Sequence, residues 1–475
     1  MVKFSLMFVK QLYTGCLSEA AYYIESNGEA AIVDPLRDID EYLEIAAERK
    51  TKIKYIFETH FHADFVSGHL DLSKVTGATI VYGPGTQTKF PVHIAKDGES
   101  FKIGALTVEV LHTAGHTLES SCYLLKDENG QNHCVFTGDT LFVGDVGRPD
   151  LAQKSEELTT SDLAGMMYDS LQKKIVCLPE DVIVYPAHGA GSSCGKNLGP
   201  ETFSTIGDEK KFNYALQQKT KEDFVKAVTD GLEAPPDYFP VNARINKEGY
   251  DSIDELVTKG TKQLSTKEFK EFAEQGAIIL DTRNADIFTQ GFVPGSVNIG
   301  LEGRFAEWAG SLLPFDTTII MVTESGNEKE SVIRLARVGF DKISGCLEGG
   351  FENWKREGEE IDMIVNVEPD ELAMDLPFDD KLVVIDVRKP TEFAEGHITG
   401  AINIPLSEMA DPGSMARIGE DDNLYVHCSA GYRSVIASSL LKRQGIHNLR
   451  NVLYGWNKIK ELQKVEIVKE KSILN

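Results

Sequence analysis

The second half of the chain repeats itself. Laid on itself with an offset of 105 residues, ILDTRNADIFTQGFVPGSVNIGL from Ile279 matches VIDVRKPTEFAEGHITGAINIPL from Val384. Each copy continues with a β-type run (TTIIMVT, then NLYVH), a loop, a helix and a Leu-x-Gly turn at Leu347 and Leu453. Two copies are too few for a solenoid. At roughly 100 residues each is long enough for one domain, and strands alternating with helices predict a parallel sheet covered on both faces. The chain of 475 residues is therefore expected to hold three domains, at 1–254, 255–364 and 365–475.

The first of these reads as sheet-dominated α/β. Short β-rich runs (AAYYIES, EAAIVDP, YIFETH, ATIVYGP, LTVEVLHTAGH, SCYLLKD, CVFTGD, DVIVYPAHG) are separated by polar turns, and helical spacing appears in IDEYLEIAAERK and LAGMMYDSLQKKI. A two-sheet sandwich with helices on its outer faces buries both kinds of apolar stripe. After a helix in KEDFVKAVTDGL, three prolines in EAPPDYFPVNARINKEGY are expected to stop regular structure.

Composition narrows the function classes. With 74 acidic and 49 basic residues the formal charge is −25, so nucleic acid is not an expected partner. Seven cysteines are scattered singly, which writes neither a disulfide framework nor a zinc knuckle and fits a reducing cytoplasm. The N-terminus lacks a long apolar region, and no window nears the roughly 18 apolar residues that span a bilayer. Neither export nor membrane association is expected.

Four runs place metal-type side chains directly after a predicted strand: His60, His62 and Asp64 after YIFET, His116 after VEVLHTAG, Asp139 after CVFTG, and His188 after IVYPA. Strand ends at one rim of a sandwich converge, and imidazole with carboxylate suits zinc, iron or manganese. No cysteine occupies these strand ends, which favours an open reactive site over a closed thiolate cage. His93, His133 and His447 stand alone and are read as ordinary hydrogen-bonded histidines. Arg148, soon after Asp139, suits either a substrate carboxylate or a salt bridge. Cys194, six residues beyond His188 in a glycine-rich loop, is read as near the pocket mouth, as a sulfur relay or as an inert thiol.

The last domain carries a second reactive pattern, HCSAGYRS. Strand NLYVH ends at Cys428 and a helix begins near Arg433, so successive N–H groups, a helix N-terminus and a guanidinium are expected to cradle a sulfur anion. The middle copy has no matching cysteine or arginine, and its register places Glu324 at the nucleophile. It is expected to be inactive, a spacer or docking surface. Arg283 and Arg388 in the two D-x-R motifs are expected to form buried structural pairs, and Cys346 to serve packing.

THFHAD, TAGHT, FTGDTLF and YPAHG resemble, in order, the metal motifs of the metallo-β-lactamase superfamily, over residues 1–250. The resemblance implies an αββα sandwich. Hydrolases of that superfamily such as glyoxalase II hold two metals and carry a histidine directly after H-x-H-x-D, where this chain has Phe65. FVKQLY, IVDPLRDIDEYL, GRPDL and PAHGAGSSCGKNLG resemble persulfide dioxygenases more closely. That resemblance implies one Fe(II) per chain on His60, His116 and Asp139, with His62, Asp64 and His188 orienting ligands or meeting substrate. VIDVRKPTEFAEGHITGAINIPL with HCSAGYRS resembles the rhodanese family over 365–475, which implies that Cys428 accepts and passes on a sulfane sulfur. The usual Gly-Gly closing turn of that family reads here as Gly455-Trp456.

Together these readings imply oxidation of a glutathione, coenzyme A or similar persulfide by O₂ to sulfite and thiol, coupled to sulfur transfer at Cys428. The rival is a dinuclear zinc thioester hydrolase of glyoxalase II type carrying rhodanese domains. A homo-oligomer is expected.

Overall fold

Alternating apolar positions and left-handed turns assemble the first half into paired sheets. The computed structural model describes residues 7–151, 158–232, 234–409, 411–419 and 421–470. Two compact units divide the chain, one reaching to Ile253 and taking in Ala336–Gly339, the other formed by Asp254–Leu335 and the residues from Phe340 onward.

The first unit contains two six-stranded sheets. One runs Phe8–Thr14, Glu19–Ser26, Glu29–Val33, Lys52–Phe57, Thr79–Tyr82, His93–Ile94; the other runs Ser204–Thr205, Ile183–Pro186, Asn132–Gly138, Ser121–Lys126, Leu106–His112, Ser100–Ile103. Because side chains alternate along a strand, Tyr22 and Ile24 join Val108, Val110, Tyr123 and Phe136 in the core between the sheets. Their neighbours Ala21 and Tyr23 face the other way, onto helix Asp40–Arg49 through Tyr42 and Ile45. On the far side Leu124 and Val135 meet Ala164 and Met167 of helix Thr160–Ser170. The layers are helix, sheet, sheet, helix. That last helix starts on a capping box between Thr159 and Asp162, which satisfies two otherwise orphaned donors.

Segment 239–248 departs from the sequence reading. The prolines were expected to end regular structure, whereas Phe239–Glu248 is a helix with Pro240 in its first turn. A first-turn proline forfeits no intrahelical hydrogen bond, since its N–H would be unpaired anyway.

The second unit holds two five-stranded sheets of like order: Gln263–Leu264, Ile343–Leu347, Ile319–Val322, Ile278–Asp281, Val297–Asn298, and Val365–Val367, Leu449–Val452, Asn423–His427, Leu382–Asp386, Ile402–Asn403. All strand pairs within them are parallel. The D-x-R motifs make matching brackets. Arg283 Nε lies 2.9 Å from Asp281 Oδ1 and its Nη2 donates to the Gly291 carbonyl at 3.0 Å; Arg388 repeats this with Asp386 at 2.9 Å and Gly396 at 2.7 Å. Each guanidinium lies over an aromatic ring, Arg283 over Phe351 and Arg388 over Trp456. Asn298 and Asn403 each donate to both carbonyls of the bracket beside them. Among the described residues no helix is long and apolar enough to cross a membrane.

Candidate functional site

His60, His116 and Asp139 come together at the rim of the first unit. Their ligand atoms lie within 4.8 Å of one another, all three residues are buried, and Nε2 of His60 and His116 stand 3.9 and 3.4 Å from Asp139 Oδ2. Each imidazole is aimed by its other nitrogen. His116 Nδ1 lies 2.9 Å from the Arg148 carbonyl, His188 Nδ1 3.1 Å from the Ser18 carbonyl, and His60 Nδ1 3.0 Å from Thr59 Oγ1. A proton on Nδ1 leaves Nε2 as a lone-pair donor pointing inward. Burial, reinforced by His62, His116 and His188, holds the His60 pKa well below the ordinary imidazole value, so its ring is neutral. Both Asp139 oxygens and His188 Nε2 are buried without a hydrogen-bond partner among the described residues. Such orphaned acceptors fit a bound cation. The loop after Asp139 must pass close beneath it: a Cβ at Gly147 would lie 1.9 Å from the Asp139 carbonyl oxygen and 3.0 Å from His116 Nδ1.

His62 turns elsewhere. Its Nε2 is 3.0 Å from Asp34 Oδ1 and 3.7 Å from Glu58 Oε2, and although burial acts against the charged ring, Asp34 and Glu58 push its pKa up to about 10. Asp34 is itself fixed by the Thr59 N–H and hydroxyl, both at 2.8 Å. Phe65, fully buried, lays its ring 4.3 Å from that of His62. Asp64 and His188 form a further group with the Cys194 thiol, all ligand atoms again within 4.8 Å. His188 Nε2 is 3.4 Å from both Asp64 and Asp139. Burial, with Asp64 and Asp139 nearby, raises the Cys194 pKa well above the thiol norm. Arg148, read from sequence as a substrate partner or a salt bridge, takes the second role: Nε and Nη2 donate to Asp150 at 2.7 and 2.8 Å, and Nη1 to the Ser193 carbonyl.

In the second unit Cys428 follows strand Asn423–His427 and precedes helix Tyr432–Arg443, buried at 2 % exposure. The Gly431 N–H donates to its sulfur at 3.1 Å. Its carbonyl accepts from the Trp456 N–H at 2.7 Å, across a turn so close that a Cβ on Gly455 (φ +49°) would stand 2.1 Å from that carbonyl oxygen. Arg433, whose charge is felt at Cys428, is held by partners of its own. Its guanidinium makes a two-pronged pair with Glu392 at 2.7 and 2.9 Å and donates to Ser429 Oγ at 2.8 Å. Tyr432 reaches the other copy, where its hydroxyl donates to the Gly300 carbonyl at 2.9 Å and its ring faces Gly300 and Gly303.

Two register expectations need correction. Asp281 pairs with Val322 and Asp386 with His427, so Thr323 is the counterpart of Cys428, and Glu324 that of Ser429. Likewise the ring under Arg283 is Phe351 and that under Arg388 is Trp456, which matches Gly349-Gly350 to Tyr454-Gly455. Tyr454 keeps the left-handed conformation of Gly349, with φ +59° against +68°.

The description "Metallo-beta-lactamase superfamily" matches residues 14–188, and "Rhodanese-like domain" matches 265–357 and 368–462. A probable hydroxyacylglutathione hydrolase, glo2, of Schizosaccharomyces pombe is 32% identical over 206 residues, 38% of this chain and 75% of that protein. The chain belongs to the metallo-beta-lactamase superfamily. A second S. pombe probable hydroxyacylglutathione hydrolase is 30% identical, over 42% of this chain and 84% of its own length. The crystal structure of a metallo-beta-lactamase from Staphylococcus aureus subsp. aureus COL superimposes with TM-score 0.66 at 31% identity, covering 72% of this chain and 99% of that one.

The matched segment contains His60, His116, Asp139, Asp64 and His188. Sequence reading passed over Asp34 and Glu58, which hold His62, and Glu19, a fully buried carboxyl whose pKa burial raises well above normal. Asp34 carried the one available signal, an aspartate closing the strand run EAAIVD before a proline. It also passed over Glu392 and Tyr432.

Proposed function

We propose that the first unit is an iron-dependent persulfide dioxygenase and that the C-terminal rhodanese-like copy transfers the sulfane sulfur. The observation that carries the reading is the diversion of His62. With its Nε2 lying 3.0 Å from Asp34 Oδ1 in an ion pair and with Phe65 beside it, His62 stands apart from His60, His116 and Asp139, whose ligand atoms gather for one ion. Two imidazoles and a carboxylate suit ferrous iron and leave coordination positions open. When bound there, the iron supplies a place for dioxygen and a persulfide sulfur to meet and the redox capacity that zinc lacks.

The chain's own residues do the rest. The Arg148 and Ser18 carbonyls hold His116 and His188 with Nε2 inward, and Thr59 holds His60. Burial keeps bulk water from the ligand groups. The overall reaction balances as RSSH + O₂ + H₂O giving RSH and sulfurous acid, with both oxygen atoms of O₂ and that of water in the product. Sulfite then suits the second unit: attack on a Cys428 persulfide breaks its S–S bond, forms thiosulfate and returns the thiol. One chain carrying both sites raises the local concentration of the shared intermediate. Glutathione and coenzyme A persulfides are the substrate candidates, and a cytoplasmic homo-oligomer is the form proposed.

A second reading has its own support. Asp64, His188 and Cys194 could hold another ion beside the first, and the curated relatives are hydroxyacylglutathione hydrolases by name. Oxygen-electrode assays on iron-loaded chain separate the two. Uptake on adding glutathione or coenzyme A persulfide, lost in Asp139→Ala and kept in Cys428→Ser, supports the dioxygenase. Two zinc ions per chain, thioester hydrolysis and no oxygen uptake would establish the hydrolase.

A further inference from the structure

Residue 392 separates the two rhodanese-like copies as sharply as the cysteine does. The 105-residue register that matches Asp281 with Asp386, Asn298 with Asn403 and Phe351 with Trp456 places Ile287 opposite Glu392. Ile287 is 46% exposed and its side chain can accept no hydrogen bond, whereas Glu392 is filled to capacity. Its carboxylate has about four acceptor sites, and four donors arrive: the Lys389 N–H at 3.0 Å, Ser429 Oγ at 2.9 Å, and Arg433 Nη1 and Nη2 at 2.7 and 2.9 Å. Arg433 Nη2 also donates to Ser429 Oγ at 2.8 Å, closing a three-membered ring of contacts across the loop.

One role for Glu392 is purely local. It stands at the third position of helix Pro390–Glu395 and accepts from the residue before the helix, as a capping residue does. That role needs one oxygen. It does not need Arg433, and the middle copy shows that the helix forms without it: Ala285–Thr289 is capped instead by Asn284, whose side chain accepts from the Asp286 N–H at 2.8 Å. The three donors beyond the cap come from Ser429 in the loop that begins at Cys428 and from Arg433 in the first turn of the helix that follows it, and the copy that lacks this cysteine and arginine lacks the glutamate too.

We propose that Glu392 is the positioning residue of the sulfur-transfer loop, fixing Arg433 and Ser429 across it so that the loop N–H groups converge on Cys428 Sγ. The inference rests on the reading that this copy transfers sulfur. Although burial acts against the carboxylate, the Arg433 hydrogen bonds and charge, with the Lys389 N–H and Ser429, hold its pKa at about 2, so the pair stays ionic throughout the neutral range. Held by Glu392, the Arg433 guanidinium acts as a brace whose charge is still felt at Cys428, while the Gly431 N–H donates to the sulfur at 3.1 Å. The reaction served is balanced without further reagents: the Cys428 thiolate takes the outer sulfur of thiosulfate, an S–S bond forms and sulfite leaves. Cyanide then removes that sulfur as thiocyanate and restores the thiolate.

The test uses the full chain with thiosulfate and cyanide, comparing wild type, Glu392→Gln, Glu392→Asp, Arg433→Gln and the Glu392→Gln/Arg433→Gln double variant. Losing charge-assisted hydrogen bonds predicts that Glu392→Gln lowers kcat about 10-fold or more with KM for thiosulfate changed less than about 2-fold, and that Glu392→Asp recovers part of the loss. The double variant is expected to be no slower than the slower single one, because both act through one contact set. Losses that multiply, or a Glu392→Gln chain that melts earlier yet keeps its kcat, would reduce Glu392 to a helix cap. A wild-type chain no faster than Cys428→Ser would remove the sulfurtransferase reading and the positioning role with it. Oxygen uptake at the metal centre is expected to be the same in all five proteins.

Discussion

The two copies of the second unit share a frame and differ in a mouth. Both carry the Asp–Arg bracket, the asparagine that ties it, the aromatic ring beneath the guanidinium and the same parallel sheet order. They part company at one loop and at the residue facing it: Thr323 and Ile287 in one, Cys428 and Glu392 in the other. The elements that hold an α/β domain together are thus separable from those proposed to handle sulfur.

The largest effect expected from probing that contrast is Cys428→Ser, which should abolish sulfur transfer from thiosulfate. The reciprocal change, Thr323→Cys, should leave transfer undetectable, since Glu328 and Ile287 stand where the other copy has Arg433 and Glu392; a Thr323→Cys/Cys428→Ser chain that regains activity would break the comparison. Next come the brackets. Removing one partner of a buried ion pair costs about 3–5 kcal/mol, so Arg283→Ala and Arg388→Ala should lower unfolding free energy in urea by similar amounts. A large inequality would show that the frames are not equivalent.

Closing turns give a smaller and unequal pair. Gly455→Ala drives a methyl to 2.1 Å from the Cys428 carbonyl oxygen, whereas Gly350→Ala meets the Thr323 oxygen at 3.1 Å. Both glycines have positive φ, so each alanine also bears about 1–2 kcal/mol of left-handed strain. Gly455→Ala should therefore destabilise more, and it alone should slow sulfur transfer. The smallest effect is one of pH. Because the folded pKa of Glu392 is depressed from 4.5 to about 2, its pairing stabilises the fold above about pH 4.5 and is lost as pH falls toward 2. Solvent screening of this half-buried pair leaves on the order of 1 kcal/mol. The stability gap between wild type and Glu392→Gln should close across that window, and the corresponding gap for Ile287→Gln should show no such titration.

How much of this was legible beforehand depended on separation along the chain. The repeat, the strand ends bearing His60, His116, Asp139 and His188, and the Cys428 loop are all local patterns, and the sheets form where alternation indicated them. The middle copy's register was legible in the 105-residue offset, which sets Thr323 opposite Cys428, but matching Val322 with Val426 by letter slips it by the one residue that the Asp281–Val322 and Asp386–His427 pairings restore. Helix Phe239–Glu248 was hidden because a proline reads as a breaker unless the first turn is recognised. Cys194 was placed near the pocket by its closeness to His188 in sequence, but its meeting with Asp64 depends on how a glycine-rich loop folds back. Arg148 carried an ambiguity that Asp150, only two residues away, resolves.

The Tyr432 hydroxyl on the Gly300 carbonyl, with its ring against Gly300 and Gly303, gives the middle copy a kind of vulnerability without a cysteine loop of its own. A larger side chain at either glycine would press on the neighbouring loop from outside and disturb it. Side-chain size in the middle copy is therefore restricted at the face it turns to Tyr432.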